Sequence, residues 1–178
     1  LHYSPDGGAS WQDLPLPILP SSSTWQIRVS PADRRNVAAW VLQDKLRPSY
    51  QWASEDGGAH WRKIFVTHQG DRLAIRSWMW HPWQPTWALV KAVGMDADHH
   101  RRSGRDFALI STNSGLSWAM LGESVLEALW SASPGQAEKA IVLVKRSTSK
   151  GGKALVSSDD FMQTEKVLVG EGSTFGLR

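Results

Sequence analysis

An octapeptide, SPDGGASW at Ser4 to Trp11, returns as SEDGGAHW at Ser54 to Trp61 and, with asparagine for aspartate, as STNSGLSW at Ser111 to Trp118. A degenerate fourth copy, SSDDFMQT, reads from Ser157 and keeps that serine and Asp159, with Phe161 and Thr164 where the others carry glycine and tryptophan. Copies spaced about 50 residues apart suit one four-stranded sheet per repeat. The chain is therefore a repeat protein, built by stacking like units.

The residue types in the octapeptide explain its recurrence. A carboxylate such as Asp6 or Asp56 accepts hydrogen bonds from backbone N–H groups just downstream, and Gly8, Gly58 and Gly115 permit positive φ. Asn113 retains an amide oxygen for the same accepting role. Trp11, Trp61 and Trp118 then open the next strand with a ring that buries roughly 150–250 Å². Ser4, Ser54, Ser111 and Ser157 begin the copies, and the last is expected to form a looser turn.

Strand patterns fill the intervals. Thr24 to Ser30, Val37 to Gln43, Tyr50 to Ser54 and His60 to Val66 make one set, each strand bounded by turn residues. Ala74 to Trp80, Thr86 to Val93, Asp106 to Ser111 and Ser117 to Leu121 make a second; Val125 to Ser131, Ala140 to Lys145, Ala154 to Ser157 and Thr164 to Val169 a third. In each set the octapeptide lies between the third and fourth strands. Ser124 to Ala132 has helical spacing at Leu126, Leu129 and Trp130, but its place as a first strand favours extended backbone over propensity.

Tandem four-stranded units that cannot cover both faces alone are the mark of a β-propeller. The expected fold is all-β: about three four-stranded antiparallel blades at 24–66, 74–121 and 125–169, with residues 1–14 ending a preceding blade and 170–178 starting the next. Three blades cannot close a ring, so the remaining blades of the same propeller are expected to cover the open faces. The chain begins at Leu1, which suggests a piece of something longer.

The octapeptide resembles the Asp-box, Ser/Thr-x-Asp-x-Gly-x-x-Trp/Phe, of sialidases, xyloglucanase-like glycosidases, photosystem assembly factors and the sortilin family of sorting receptors. Ile27 to Val41 (IRVSPADRRNVAAWV), Met79 to Val90 (MWHPWQPTWALV) and the stretch from Phe107 to the terminal STFGLR are most similar to the sortilin-type luminal propeller. The resemblance implies a propeller of about ten blades that binds cargo peptides or proteins in its tunnel and releases them as pH falls. It also implies the lumen of Golgi and endosome, as part of a type I membrane protein. The chain departs from the family in having no cysteine, whereas the receptors carry cysteines in the propeller's loops and a cysteine-rich module after it. Neither Asn36 nor Asn113 heads a glycosylation triplet.

Composition narrows the chemistry. Without cysteine there is no disulfide, thiol nucleophile or Cys-based zinc site. The net charge of +3 forms no basic stripe, so nucleic acid is not an expected partner. No apolar run approaches the ~18 residues of a membrane helix, and no signal-peptide pattern opens the chain. Contact with a membrane is expected only through a segment outside this chain.

Candidate catalytic groups are sparse. The sialidase Phe/Tyr-Arg-Ile-Pro signature is absent, Arg28 in QIRVS reads as an exposed strand residue, and Tyr3 and Tyr50, the tyrosines of the chain, fall beside box turns. Asp71 and Asp106 would be the carboxylates of a glycosidase, which uses two facing across a cleft; turn and strand-start roles suit them better. Asp96, Asp98, His99 and His100 could ligate a metal, but Arg101 and Arg102 follow and the segment reads as a solvated hairpin. His81 reads as a strand-end cover over Trp78, Trp80, Trp83 and Trp87, residues of core packing rather than a sugar platform. The expectation is thus a ligand-binding propeller with no enzyme activity, cofactor or metal. The alternatives are a fragment of an Asp-box glycosidase and a structural propeller within a large assembly.

Overall fold

Val37–Leu42 and Ala88–Met95 are apolar or small at nearly every position, a composition suited to strands covered on both faces. The computed structural model describes residues 2–4, 6–13, 15, 24–42, 51–95, 101–131, 139, 141–146 and 153–169, and among these every regular element is a strand. β1 (His2–Tyr3) and β2 (Gln12–Asp13) pair around the first box. β3 (Thr24–Val29), β4 (Val37–Leu42), β5 (Gln51–Ser54) and β6 (Arg62–Lys63) form a sheet in chain order. β7 (Val66–His68), β8 (Asp71–Trp80), β9 (Ala88–Met95), β10 (Arg101–Ser111) and β11 (Ala119–Glu123) form the next. β12 (Val125–Trp130), β13 (Ile141–Arg146), β14 (Lys153–Ser158) and β15 (Lys166–Val169) form the last. Every pairing is antiparallel, as in a run of propeller blades.

Strand alternation turns the middle blade into a two-sided wedge. Ala88, Val90 and Ala92 of β9, with Phe107 and Leu109 of β10, pack toward Ala38, Trp40, Ala53 and Ile64 of the first blade. The residues between them, Leu89, Ala108 and Ile110, pack toward Val125, Ala128, Ile141 and Leu143 of the third. Each seam is thus an apolar core shared by two sheets, and neither sheet could bury it alone.

Polar stitches align the seams. The Trp80 indole N–H donates to the Arg28 carbonyl at 3.0 Å, and that of Trp130 to the Met79 carbonyl at 3.1 Å. Trp80 ends β8 and Trp130 ends β12, and each reaches the penultimate residue of a strand in the preceding blade, Arg28 of β3 and Met79 of β8. Further across, the Gln51 amide donates to the Leu73 carbonyl, and the Lys91 ammonium to the Leu126 carbonyl and the Glu127 carboxylate. By contrast the buried indole nitrogens of Trp40 and Trp78 have no hydrogen-bond partner, so these rings serve as packing volume.

Two expectations are corrected. The first blade does not run to Val66: its last strand stops at Lys63, and Val66 starts β7, an extra edge strand of the second blade. Gln69 (φ 50°) and Gly70 (φ 84°) close a two-residue hairpin there, a turn with two positive φ angles that suits the strand twist. β10 also begins at Arg101, inside the segment that reads as a loop, pairing Arg101 with Met95. The stretch with helical spacing is strand β12, because pairing with β13 and burial of Val125 and Ala128 in the seam outweigh local propensity. The expected start of a further blade at 170–178 lies outside the described residues.

Trp130→Phe keeps an aromatic ring but removes the donor to Met79 and part of the indole's packing volume, and is expected to cost about 1–3 kcal/mol. Leu143→Ala, at a fully buried seam position, is expected to cost about 2–5 kcal/mol. Denaturant unfolding of the two variants checks both values and their order.

Candidate functional site

Each boxed turn is closed by its own first and third residues. The Ser54 hydroxyl donates to Asp56 Oδ1 (2.8 Å) and accepts the Gly58 N–H (2.8 Å), while the same Oδ1 accepts the N–H of His60 (2.9 Å). Ser4, Asp6, Gly8 and Ser10 repeat the pattern, as do Ser111, Asn113, Gly115 and Ser117. The two central residues have positive φ: Gly7 and Gly8, Gly57 and Gly58, then Ser114 and Gly115.

The seventh residue of the box adds a bond that its tryptophan and glycine signature does not advertise. Asp6 Oδ2 accepts from the Ser10 hydroxyl (2.7 Å), and Asp56 Oδ2 lies 2.6 Å from His60 Nδ1. In the third copy the direction reverses: Asn113 has an amide in place of the second oxygen, and its Nδ2 donates to the Ser117 hydroxyl (2.8 Å). The readable signal is a polar residue at that position in every copy.

The fourth turn is in a register one residue later than Ser157 and Asp159. Ser158 donates to Asp160, and Asp160 accepts the N–H (2.9 Å) and the hydroxyl (2.7 Å) of Thr164. Ser157 instead pairs with Val142 and Lys166 in the ladder, on the strand before the turn. Alternation decides this: strand β14 runs through Ser158, and only that serine reaches the turn. Phe161 (φ 58°) and Met162 (φ 64°) occupy the glycine positions, a strained backbone held by the bonds of Asp160. The turn is closed as fully as the others.

These carboxylates are held ionised. Backbone and side-chain hydrogen bonds from Ser10, with that of Ser4, lower Asp6 to about 2. The His60 backbone and ring, then Ser54, do the same for Asp56, and Ser158 with Thr164 for Asp160, each to about 2. The corners also tie the blade's other end loop: Gly57 N–H donates to the Arg35 carbonyl and Ser114 N–H to that of Thr86, at 2.8 Å each. Between blades, Arg62 Nη2 donates to the Ser114 carbonyl (2.9 Å), and the Ser114 hydroxyl to Asn36 (3.2 Å).

The other candidates are dispersed. Arg28 is exposed and its guanidinium bonds the adjacent Ile27 carbonyl. Asp71 begins β8 and the buried Asp106 lies in β10, within a single blade and with β9 between them, not across a cleft between blades. Tyr50 and the segment with Asp96, Asp98, His99 and His100 lie outside the described residues. His81 is fully buried; its Nδ1 accepts the N–H groups of Trp83 (3.2 Å) and Gln84 (3.0 Å), and its ring meets Trp83, Trp87 and Trp130. Trp78 and Trp80 are core, whereas Trp83 is 44% exposed.

Because the corner carboxylates titrate below the ordinary value of 3.8, their contribution to stability is complete above that pH and is lost as pH falls toward about 2. Unfolding by denaturant is therefore expected to show no corner-linked loss between pH 7 and pH 5, and a decline below the usual carboxylate range. Asp56→Asn, which reproduces the third corner, is expected to retain most thermal stability and to flatten the acid decline; Asp56→Ala is expected to lower the melting temperature more.

The GH74 xyloglucanase from Xanthomonas campestris superposes with a TM-score of 0.52 at 12% identity, over 80% of this chain and 21% of its own. The GH74 enzyme of Niastella koreensis gives 0.56 at 13% identity, over 90% and 25%. These likenesses show the fold, and the chain spans a quarter or less of either enzyme. YCF48 from Cyanidioschyzon merolae is also similar, with 20% identity over 90% of this chain and 41% of its own, at a TM-score of 0.45. No curated protein matches the sequence. The model of the Sortilin-Vps10 family, described as sortilin, neurotensin receptor 3, matches residues 1–177, and the chain belongs to that family.

Proposed function

We propose that this chain is an arc of the propeller of a sorting receptor, binding cargo peptides or proteins without catalysis. The observation that carries the reading is the family match across residues 1–177. It is supported by the use of the box residues: Asp6, Asp56 and Asp160 are each engaged by their own turns, which makes them parts of the frame rather than acids or bases for a substrate. Leu129, Val167 and Leu168 on the last blade and Val29 on the first remain exposed, as befits faces and edges that the remaining blades of the same propeller would cover.

The family supports a place in the lumen of secretory and endosomal compartments, which acidify. Corner carboxylates that titrate near 2 keep their turn-closing bonds through that range. Release of cargo on acidification would then come from local rearrangement rather than from loosening of the blades.

The intact protein, immobilised and exposed to secreted proteins and peptides, is expected to capture a defined set at neutral pH and release it at endosomal pH. It is also expected to leave xyloglucan unchanged. Hydrolysis of that glucan, or no capture by the complete propeller, would overturn the reading.

A further inference from the structure

The two seams differ at one matched position. Box alignment places Arg62, just after Trp61, opposite Ala119, just after Trp118. In the first seam the Arg62 guanidinium crosses to the Ser114 carbonyl of the next blade's box, with the Glu55 carboxylate 3.7 Å away. In the second seam the side chain at that position is a methyl group, and Phe161 stands where Ser114 does, with the same left-handed backbone (φ 58° against 54°). A recess of about 380 Å³ opens there between the blades, bordered by Thr112, Ser117, Ala119, Leu121, Phe161 and Gln163. The matched recess around Arg62 is about 300 Å³ and its lining does not extend to the next blade.

We infer that this recess binds the arginine side chain of a peptide ligand, which would supply in trans the guanidinium that Arg62 supplies in cis. The inference rests on the reading of the chain as a peptide-binding propeller. The matched arginine of the first seam and the shape of the recess select this occupant. None of the lining residues is charged, and the hydroxyl and amide side chains of Thr112, Ser117 and Gln163 stand among the apolar Ala119, Leu121 and Phe161, which suits a side chain with an apolar stem and a planar donor head. The Phe161 ring accepts cations, as Lys139 Nζ 5.5 Å from its centroid shows, and an incoming guanidinium would take the place of that ammonium; Trp87 meets the ring at 5.0 Å and fixes its tilt. A lysine would bring a compact ammonium in place of the fork, and an aliphatic side chain would leave the polar wall without donors.

The test titrates the intact protein with Nα-acetyl-L-arginine methylamide and, separately, with the norleucine analogue, observed by ligand-detected NMR. The arginine amide is expected to bind one site and the norleucine amide to bind about tenfold more weakly. Ala119→Arg places the missing guanidinium on an exposed position and is expected to abolish that binding with the circular dichroism spectrum unchanged. Arg62→Ala vacates the first seam and is expected to add a second site, a readout that does not depend on Ala119→Arg folding. Equal binding of the two amides, undiminished binding to folded Ala119→Arg, or a single site in Arg62→Ala would overturn the inference. No cargo enters the titration, so its failure is distinct from a failure to capture cargo.

Discussion

A sheet that is apolar on both faces has to be covered twice, and this constraint governs the molecule. Strand alternation sends Val90 and Leu109 to one seam and Leu89 and Ile110 to the other, so each blade is half of two cores. Such a unit has no stable existence by itself; its stability is that of its neighbours' contact with it. The indole bonds from Trp80 and Trp130 then set the relative height of adjacent blades, because a carbonyl on an inner strand accepts them only in one register.

The boxed corners solve a different problem. A tight turn between the outer strands leaves backbone N–H groups without strand partners, and a short carboxylate or amide satisfies them from within the turn. Since the acceptor does the work, the glycines and tryptophan are the replaceable parts. The fourth corner, with Phe161 and Met162 at positive φ and Glu165 in place of tryptophan, forms with the same bonds. The same bonds hold the carboxylates ionised until the pH falls toward about 2, which decouples the corners from milder acidification.

Much of the architecture was legible because its signals are local. Alternation marked the strands, and the octapeptide marked which of them pair. The fourth register was misread by one residue, since two adjacent serines and two adjacent aspartates fit the motif equally well and only the pairing of Ser157 with Val142 separates them. Val66 was misassigned for a similar reason: the strand before it and the hairpin after it are continuous in sequence, and the positive φ of Gln69 is not a property that glutamine announces. The indole stitches, the seventh-position donor and the contrast between Arg62 and Ala119 involve partners in other blades or other copies. They became visible once the copies could be matched in space.

By itself the sequence determined the unit, its number of copies and the chemistry of its corners, because each rests on residues within one turn or one strand of another. Tertiary structure decided which faces meet, which tryptophans donate and which merely fill, and where a seam is closed by an arginine or left open by an alanine. Those outcomes depend on groups some fifty positions apart brought within hydrogen-bond reach. No local pattern encodes that proximity; the stacking of sheets with two apolar faces does.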